Sequence, residues 1–253
     1  MTRLLVENLD VVVDGNTLVS AASYSVEPGE LVIILGPNGA GKTSLIRASL
    51  GFEKQSTGAV TLDDTDVAAL SPADRARKVA YLPQVRPLAW PNSVRDIVSL
   101  GRFGHGAPMG RLQGADAQAV ERAMADCDIA HLALRDAGTL SGGELARVHC
   151  ARAFAVEAPF LVADEPIAGL DPRHQFRILD LFKNYVAKGG GALLILHDVE
   201  LAARYATRLI WMKQGRIIAD GPPDDTLTTQ QLEDVYDIRA SVHGLSVEMV
   251  GPK

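Results

Sequence analysis

Three unbroken apolar runs punctuate the chain: LVIIL at 31–35, FLVA at 160–163 and ALLIL at 192–196. Each has the length of a strand buried on both faces and falls far short of the roughly twenty residues that cross a bilayer. The first runs into a glycine-rich stretch and then a helical segment from about Lys42 to Leu50, one half of a strand–helix–strand unit. Ahead of it, LLVENLDVVV and SAASYSV flank the turn Asp14-Gly15-Asn16 and read as an antiparallel edge that ends at Pro28-Gly29. AVTL and KVAYL follow as short strands. FLVAD, ALLILHD and LIWMKQGRII return as strands late in the chain, separated by helical segments.

Between Val85 and Thr139 the texture turns helical, with Pro, Gly and Arg punctuation and the amphipathic stretch ADAQAVERAMADC. This predicts one α/β domain over 1–253, a mainly parallel sheet covered by helices with an antiparallel β edge. Within it, 1–84 and 157–222 are expected to form the core with its β subdomain, and 85–156 an inserted helical subdomain. Residues 223–253 are a short C-terminal extension that carries a capped helix in TTQQLEDVYDI. No internal repeat or low-complexity tract appears.

Composition narrows the class without deciding it. A chain of 253 residues, 47% hydrophobic and 22% charged, is an ordinary globular protein able to bury a substantial core. Its net charge of −6 argues against broad nucleic-acid affinity, and no nucleic-acid partner is expected. Cys127 and Cys150 are too few for a disulfide or zinc framework and read as buried free thiols of a reducing compartment. MTRLLVENLD places Glu7 and Asp10 where a secretory signal needs an apolar run, so mature sequence is expected. If the protein works at a membrane, a partner spans it.

Candidate chemistry changes the picture. Gly36-Pro37-Asn38-Gly39-Ala40-Gly41-Lys42-Thr43 matches G-x-x-x-x-G-K-[ST] and lies between a buried strand and a helix, as a phosphate loop must. Glycines let the backbone curl so that successive amides face phosphates, Lys42 reaches the terminal phosphates and Thr43 offers a hydroxyl to Mg²⁺. Asp164 and Glu165 close the strand FLVAD at the sheet edge where α/β folds bind ligands. Asp164 is expected to hold Mg²⁺ through water and Glu165 to polarise an attacking water. His197 ends the next apolar strand and is the candidate group contacting the γ-phosphate, and Gln84 is a candidate Mg²⁺ or water ligand.

A second glycine-rich helix start, Ser141-Gly142-Gly143, raises the question of what a second anion site is for. A capping box of S-x-x-E type, Ser141 with Glu144, explains the same residues equally well.

Taken in order, the phosphate loop GPNGAGKT, the glutamine of LPQ, LSGGE, FLVADE, GLD and the histidine of LHD make the chain resemble an ABC-transporter ATPase subunit over nearly its whole length. The resemblance implies a P-loop ATPase fold, ATP with Mg²⁺, and a head-to-tail homodimer. In that dimer Ser141, Gly142, Gly143 and Glu144 act on the ATP held by the partner's phosphate loop, with Asp171 at the seam. LSPADRARKVAYLPQ, WPNSVRDIVSLGRFGH and LHDVELAARYATRLIWMKQGRIIADG are similar to the ATPases that power import of ferric siderophores, haem and cobalamin. This implies a peripheral subunit on the cytoplasmic face of the bacterial inner membrane, bound to transmembrane permease subunits that a solute-binding protein feeds. Val85 to Arg102, with Trp90, would face the permease, although Trp90 fits a loop anchor equally well.

Four positions depart from the family pattern. Val13 stands where an aromatic ring often stacks on adenine, and Glu144 where glutamine is usual, with Arg147 one turn on to offset its charge. Lys42 is followed by Thr43-Ser44 rather than Ser-Thr, which keeps the Mg²⁺ hydroxyl, and Ile167 replaces a frequent threonine. A soluble ABC-type ATPase acting in regulation or on nucleic acid is the alternative. Such relatives usually carry two ATPase halves or long coiled-coil insertions, which are not seen here.

Overall fold

The computed structural model describes residues 3–53, 57–84, 92–107 and 112–252. They fall into two compact units, Met1–Ala69 with Gly191–Lys253, and Leu70–Gly190.

In the first unit, β1 (Leu4–Val13) and β2 (Asn16–Val26) form a hairpin whose turn residues Asp14 and Gly15 both have positive φ, the geometry that matches strand twist in tight hairpins. β1 also pairs antiparallel with β4 (Thr57–Leu62), which pairs with β5 (Thr65–Asp66), giving the order β2-β1-β4-β5. The second layer is built on β3 (Leu31–Leu35), which runs parallel to both β8 (Gly191–Ile195) and β9 (Arg208–Lys213). Every residue of β3 and β8 is buried, which is why these strands read as continuous apolar runs without alternation. Helices α1 (Lys42–Ser49) and α7 (Val199–Tyr205) follow β3 and β8.

LIWMKQGRII is not the single strand expected. The chain turns at Gln214-Gly215, both at positive φ, and β10 (Arg216–Gly221) folds back antiparallel on β9. The polar pair inside an apolar run was turn chemistry. Beyond it come α8 (Pro223–Thr226), α9 (Thr229–Tyr236) and the hairpin β11 (Ile238–His243) and β12 (Ser246–Pro252). Thr228 caps α9 by accepting from the Gln231 amide, as the sequence suggests.

The second unit holds α2 (Pro72–Lys78), β6 (Val79–Leu82), α3 (Val94–Ser99), α4 (Gly114–Asp126), α5 (Gly142–Phe154), β7 (Phe160–Asp164) and α6 (Pro172–Ala187). β6 and β7 pair in parallel, with Leu82 opposite Ala163. Ser71, Ser93 and Asp171 cap α2, α3 and α6, each accepting an amide three residues on. Val94, Ile97, Val98, Val120, Met124 and Val148 close the space between α3, α4 and α5. Phe182 of α6 is fully buried, edge-on to Phe154, which in turn stacks on Tyr185 with ring centroids 5.7 Å apart. Cys127 and Cys150 are buried thiols not joined in a disulfide. Among the described residues no helix is long and apolar enough to cross a membrane.

Truncating Phe182 to Ala should cost about 3–5 kcal/mol of stability, read as a lower urea midpoint, because it empties a site that neighbours cannot refill. Leu134→Ala, at a position 88% exposed, should move that midpoint by less than about 0.5 kcal/mol equivalent.

Candidate functional site

The loop leaving β3 is shaped by contacts that exclude side chains. Gly36, Gly39 and Gly41 have φ of 152°, 78° and 92°. A Cβ on Gly36 would penetrate the Met212 carbonyl and one on Gly41 the Leu18 carbonyl, whereas one on Gly39 would meet open space. Gly215, from the unexpected β9–β10 turn, completes the seating. Its N–H donates to the Ala40 carbonyl at 3.0 Å and its carbonyl accepts from Ser20 N–H at 2.8 Å. α1 then starts at Lys42 from a left-handed Gly41, with no side-chain cap and no acidic residue in its first turn. A helix start with open amides and no carboxylate suits an anion. Lys42 is buried, and its Nζ donates to the carbonyls of Gly36 (2.7 Å) and Pro37 (2.9 Å), so the ammonium is held across the loop. Thr43 lies exposed in the first turn beside Ser44. The residues present therefore fit a bound polyphosphate.

His197 is exposed just past β8, and Asp198 beside it caps α7 by accepting from Leu201 N–H at 2.8 Å. Val13 sits at the end of β1, 41% exposed, and offers an apolar face without a ring.

In the second unit, β7 ends in Asp164, 1% exposed, followed by Glu165 at φ 49°. A left-handed glutamate stores roughly 1–3 kcal/mol of strain, of the kind that clusters at functional sites. Its Oε2 accepts from Gln84 Nε2 at 2.7 Å, so the parallel ends of β6 and β7 bring together two residues 81 positions apart.

The LSGGE stretch, the signature of the family resemblance, forms a complete capping box: Glu144 N–H donates to Ser141 Oγ, and Glu144 Oε2 accepts from Ser141 N–H at 2.8 Å. The Ser141 hydroxyl also donates to that carboxylate at 2.8 Å. Glu144 is thus held below the usual carboxylate range, first by the Ser141 amide and then by its hydroxyl. Arg147 does not serve as the expected direct neutraliser. It is buried, its Nη1 donates to the Asp128 carbonyl at 2.8 Å and to that carboxylate at 3.2 Å, and it reaches Glu144 only as a minor field.

One residue was missed by sequence reasoning. The His174 ring lies directly over Gly143, where any Cβ would collide with it. Asp171 accepts from the His174 amide at 3.0 Å and stands 3.8 Å from His174 Nε2, while Nδ1 is sealed without a hydrogen-bond partner. This ring joins the signature glycine to Asp171. The only local signal was a histidine three positions into a capped helix.

Trp90 and Val85–Pro91 lie outside the described residues. Of the remaining stretch, Arg102 turns inward to Asp116 and the Ala155 carbonyl, while Phe103 is 70% exposed.

A family model described as ABC transporter matches residues 19–168, from β2 through the phosphate loop and signature to just past Glu165. The chain belongs to the ABC transporter family. It is similar to the hemin import ATP-binding protein HmuV of Mesorhizobium japonicum, 39% identical over 94% of this chain and 93% of that protein. It is also 38% identical to the cobalamin import ATP-binding protein BtuD of Halobacterium salinarum, over 94% of this chain and 59% of that one. Among solved structures, an ATP-binding cassette of an ABC transporter in its ADP conformation superposes with a TM-score of 0.84 at 27% identity, covering 93% of this chain and 98% of that one. The expected P-loop fold, with its parallel core and antiparallel β subdomain, is therefore borne out. This ABC transporter ATPase couples ATP hydrolysis to transport.

Gly143→Ala should destabilise by about 1–3 kcal/mol in chemical denaturation through overpacking against His174, and His174→Ala in the same chain should restore most of the loss. A neutral Gly143→Ala would mean the ring moves freely. The sign of the pH effect at Glu144 follows from its lowered pKa: the box is fully present above the ordinary value of 4.5 and is lost as pH falls through the lower folded value. The protection factor of amides at the start of α5, with the intrinsic pH dependence of exchange divided out, should therefore hold down to that ordinary value and fall only beneath it.

Proposed function

We propose that this ABC transporter ATPase powers uptake of haem or cobalamin as a homodimer on the cytoplasmic face of the membrane, bound to permease subunits that a solute-binding protein feeds from the other side. The names of the relatives, hemin import and cobalamin import, support the solute, and an iron siderophore is the third member of the class the sequence resembles.

The Gln84–Glu165 hydrogen bond carries the catalytic reading. It holds a carboxylate at the end of a buried strand, beside Asp164, in the geometry expected of a group that orients water. The backbone N–H groups of the loop from Asn38 to Ser44 and the Lys42 ammonium bind the β- and γ-phosphates, with Gly36 and Pro37 shaping its entry, and Val13 makes apolar contact with adenine without stacking. Glu165 orients the attacking water and accepts its proton, and His197 donates to the γ-phosphate. Thr43, Gln84 and Asp164 would hold Mg²⁺, which would supply charge neutralisation on the phosphates. Among the described residues no group of three or more His, Cys, Asp and Glu side chains forms a metal cage. Ser141, Gly142, Gly143 and Glu144 close over the γ-phosphate of the partner subunit, with Asp171 at the seam.

Glu165→Gln should lower hydrolysis by at least about 100-fold while the purified protein still binds ATP and accumulates as an ATP-bound dimer on gel filtration. Ser141→Arg should likewise retain ATP binding and lose hydrolysis. Undiminished turnover in the first variant removes Glu165 from its role, and loss of ATP binding in the second returns the signature to a structural one. Labelled haem and cobalamin uptake in cells lacking the chain separates the two solutes.

A further inference from the structure

The segment beyond β10 contains no residue of the site, yet it is fastened at two points to the loops that do. The first point is behind the phosphate loop. Lys213, the last residue of β9, donates from Nζ to the Asp234 carbonyl and to the Asp237 carboxylate at 2.8 Å, pinning the C-terminal end of α9. The preceding residue, Met212, supplies the carbonyl on which Gly36 is seated. Tyr236 closes α9 at this same end, its Oη sealed from solvent without a hydrogen-bond partner, and burial pushes the phenol up to about 12.

The second point is the helix that follows His197. Glu200, in the first turn of α7, accepts from Val247 N–H at 2.6 Å and from Ser246 Oγ at 2.9 Å, both in β12. These two donors hold the Glu200 carboxyl below the usual range. The two anchors are joined with little slack. Asp237, at φ 55°, is the single residue between α9 and β11, and Leu232, Val235 and Ala240 are buried there.

We propose that residues 229–252 are a brace that holds the phosphate loop and the His197 loop in register. Lys213 acts as a positioning residue for the phosphate loop seated on its neighbour Met212, and Glu200 as a positioning residue for His197. The inference rests on the ATPase reading of the site. Hydrolysis needs His197 to meet a phosphate held by the Lys42 loop, and rate is steeply sensitive to misplacement of about 1 Å between such groups. A brace that contacts neither phosphate nor water nonetheless sets that distance.

The test uses the full-length chain with three substitutions. Lys213→Met keeps the aliphatic stem and deletes both anchoring hydrogen bonds, Glu200→Ala deletes both hydrogen bonds to β12, and Glu200→Gln keeps an acceptor oxygen. Lys213→Met should weaken binding of a fluorescent ATP analogue about fivefold. Glu200→Ala should lower kcat about fivefold at unchanged KM, since its effect falls on the His197 side, and Glu200→Gln should recover most of it. Unchanged kcat and KM in both Lys213→Met and Glu200→Ala, with only a lower melting temperature, overturns the brace. If Lys213→Met does not fold, hydrogen exchange on the wild-type chain decides: ATP should slow exchange across 229–252, and no change there rejects the proposal. Wild-type hydrolysis and its loss in Glu165→Gln establish the ATPase reading separately, so the brace fails alone when those hold and the brace variants are silent.

Discussion

The contact on which the rest depends is backbone against backbone. Gly36 rests on the Met212 carbonyl and Gly41 on the Leu18 carbonyl, at separations no Cβ permits. Three distant segments, the start of β2, the β3–α1 loop and the β9–β10 turn, are thereby locked around one curl of main chain. The Gly215 N–H to Ala40 and the Ser20 N–H to Gly215 hydrogen bonds stitch them together. Lys42 then has a single direction in which to lie, across the carbonyls of Gly36 and Pro37. A loop seated this way loses little entropy when it meets phosphate, because its amides are already aligned.

The carboxylate side obeys a different constraint. β7 is buried throughout, so the chain must leave it abruptly, and Glu165 does so at a left-handed φ with its carboxylate fixed by Gln84. Strain and a charge-assisted hydrogen bond together hold one rotamer where a surface glutamate would sample many. Gln84 belongs to the end of β6, next to the stretch where the helical part of the chain begins, so any movement there reaches the carboxylate through one bond.

Capping and recognition share the same atoms in α5. The box between Ser141 and Glu144 satisfies the helix start by itself, and Gly142 faces open space. The second glycine is needed for another reason: the His174 ring occupies the volume its side chain would fill. The two readings of Ser141-Gly142-Gly143 are therefore compatible. A helix capped in its own chain still presents an uncrowded glycine face to another.

What the sequence by itself determined is local. Unbroken apolar runs marked β3, β7 and β8, glycine spacing marked the phosphate loop, and Ser, Thr and Asp before helical stretches marked caps, because burial period, backbone curl and amide capping each act within a few residues. What only the tertiary structure decided is which distant group each side chain meets. Arg147 turned from Glu144 to Asp128 because a buried guanidinium needs carbonyl acceptors, and its own helix has none to spare. LIWMKQGRII broke into a hairpin because Gly215 is held by Ala40 and Ser20. His174, Lys213 and Glu200 looked like ordinary surface residues for the same reason. Their partners are Gly143, Asp237 and Val247, and periodicity reports that a face is buried without reporting against what.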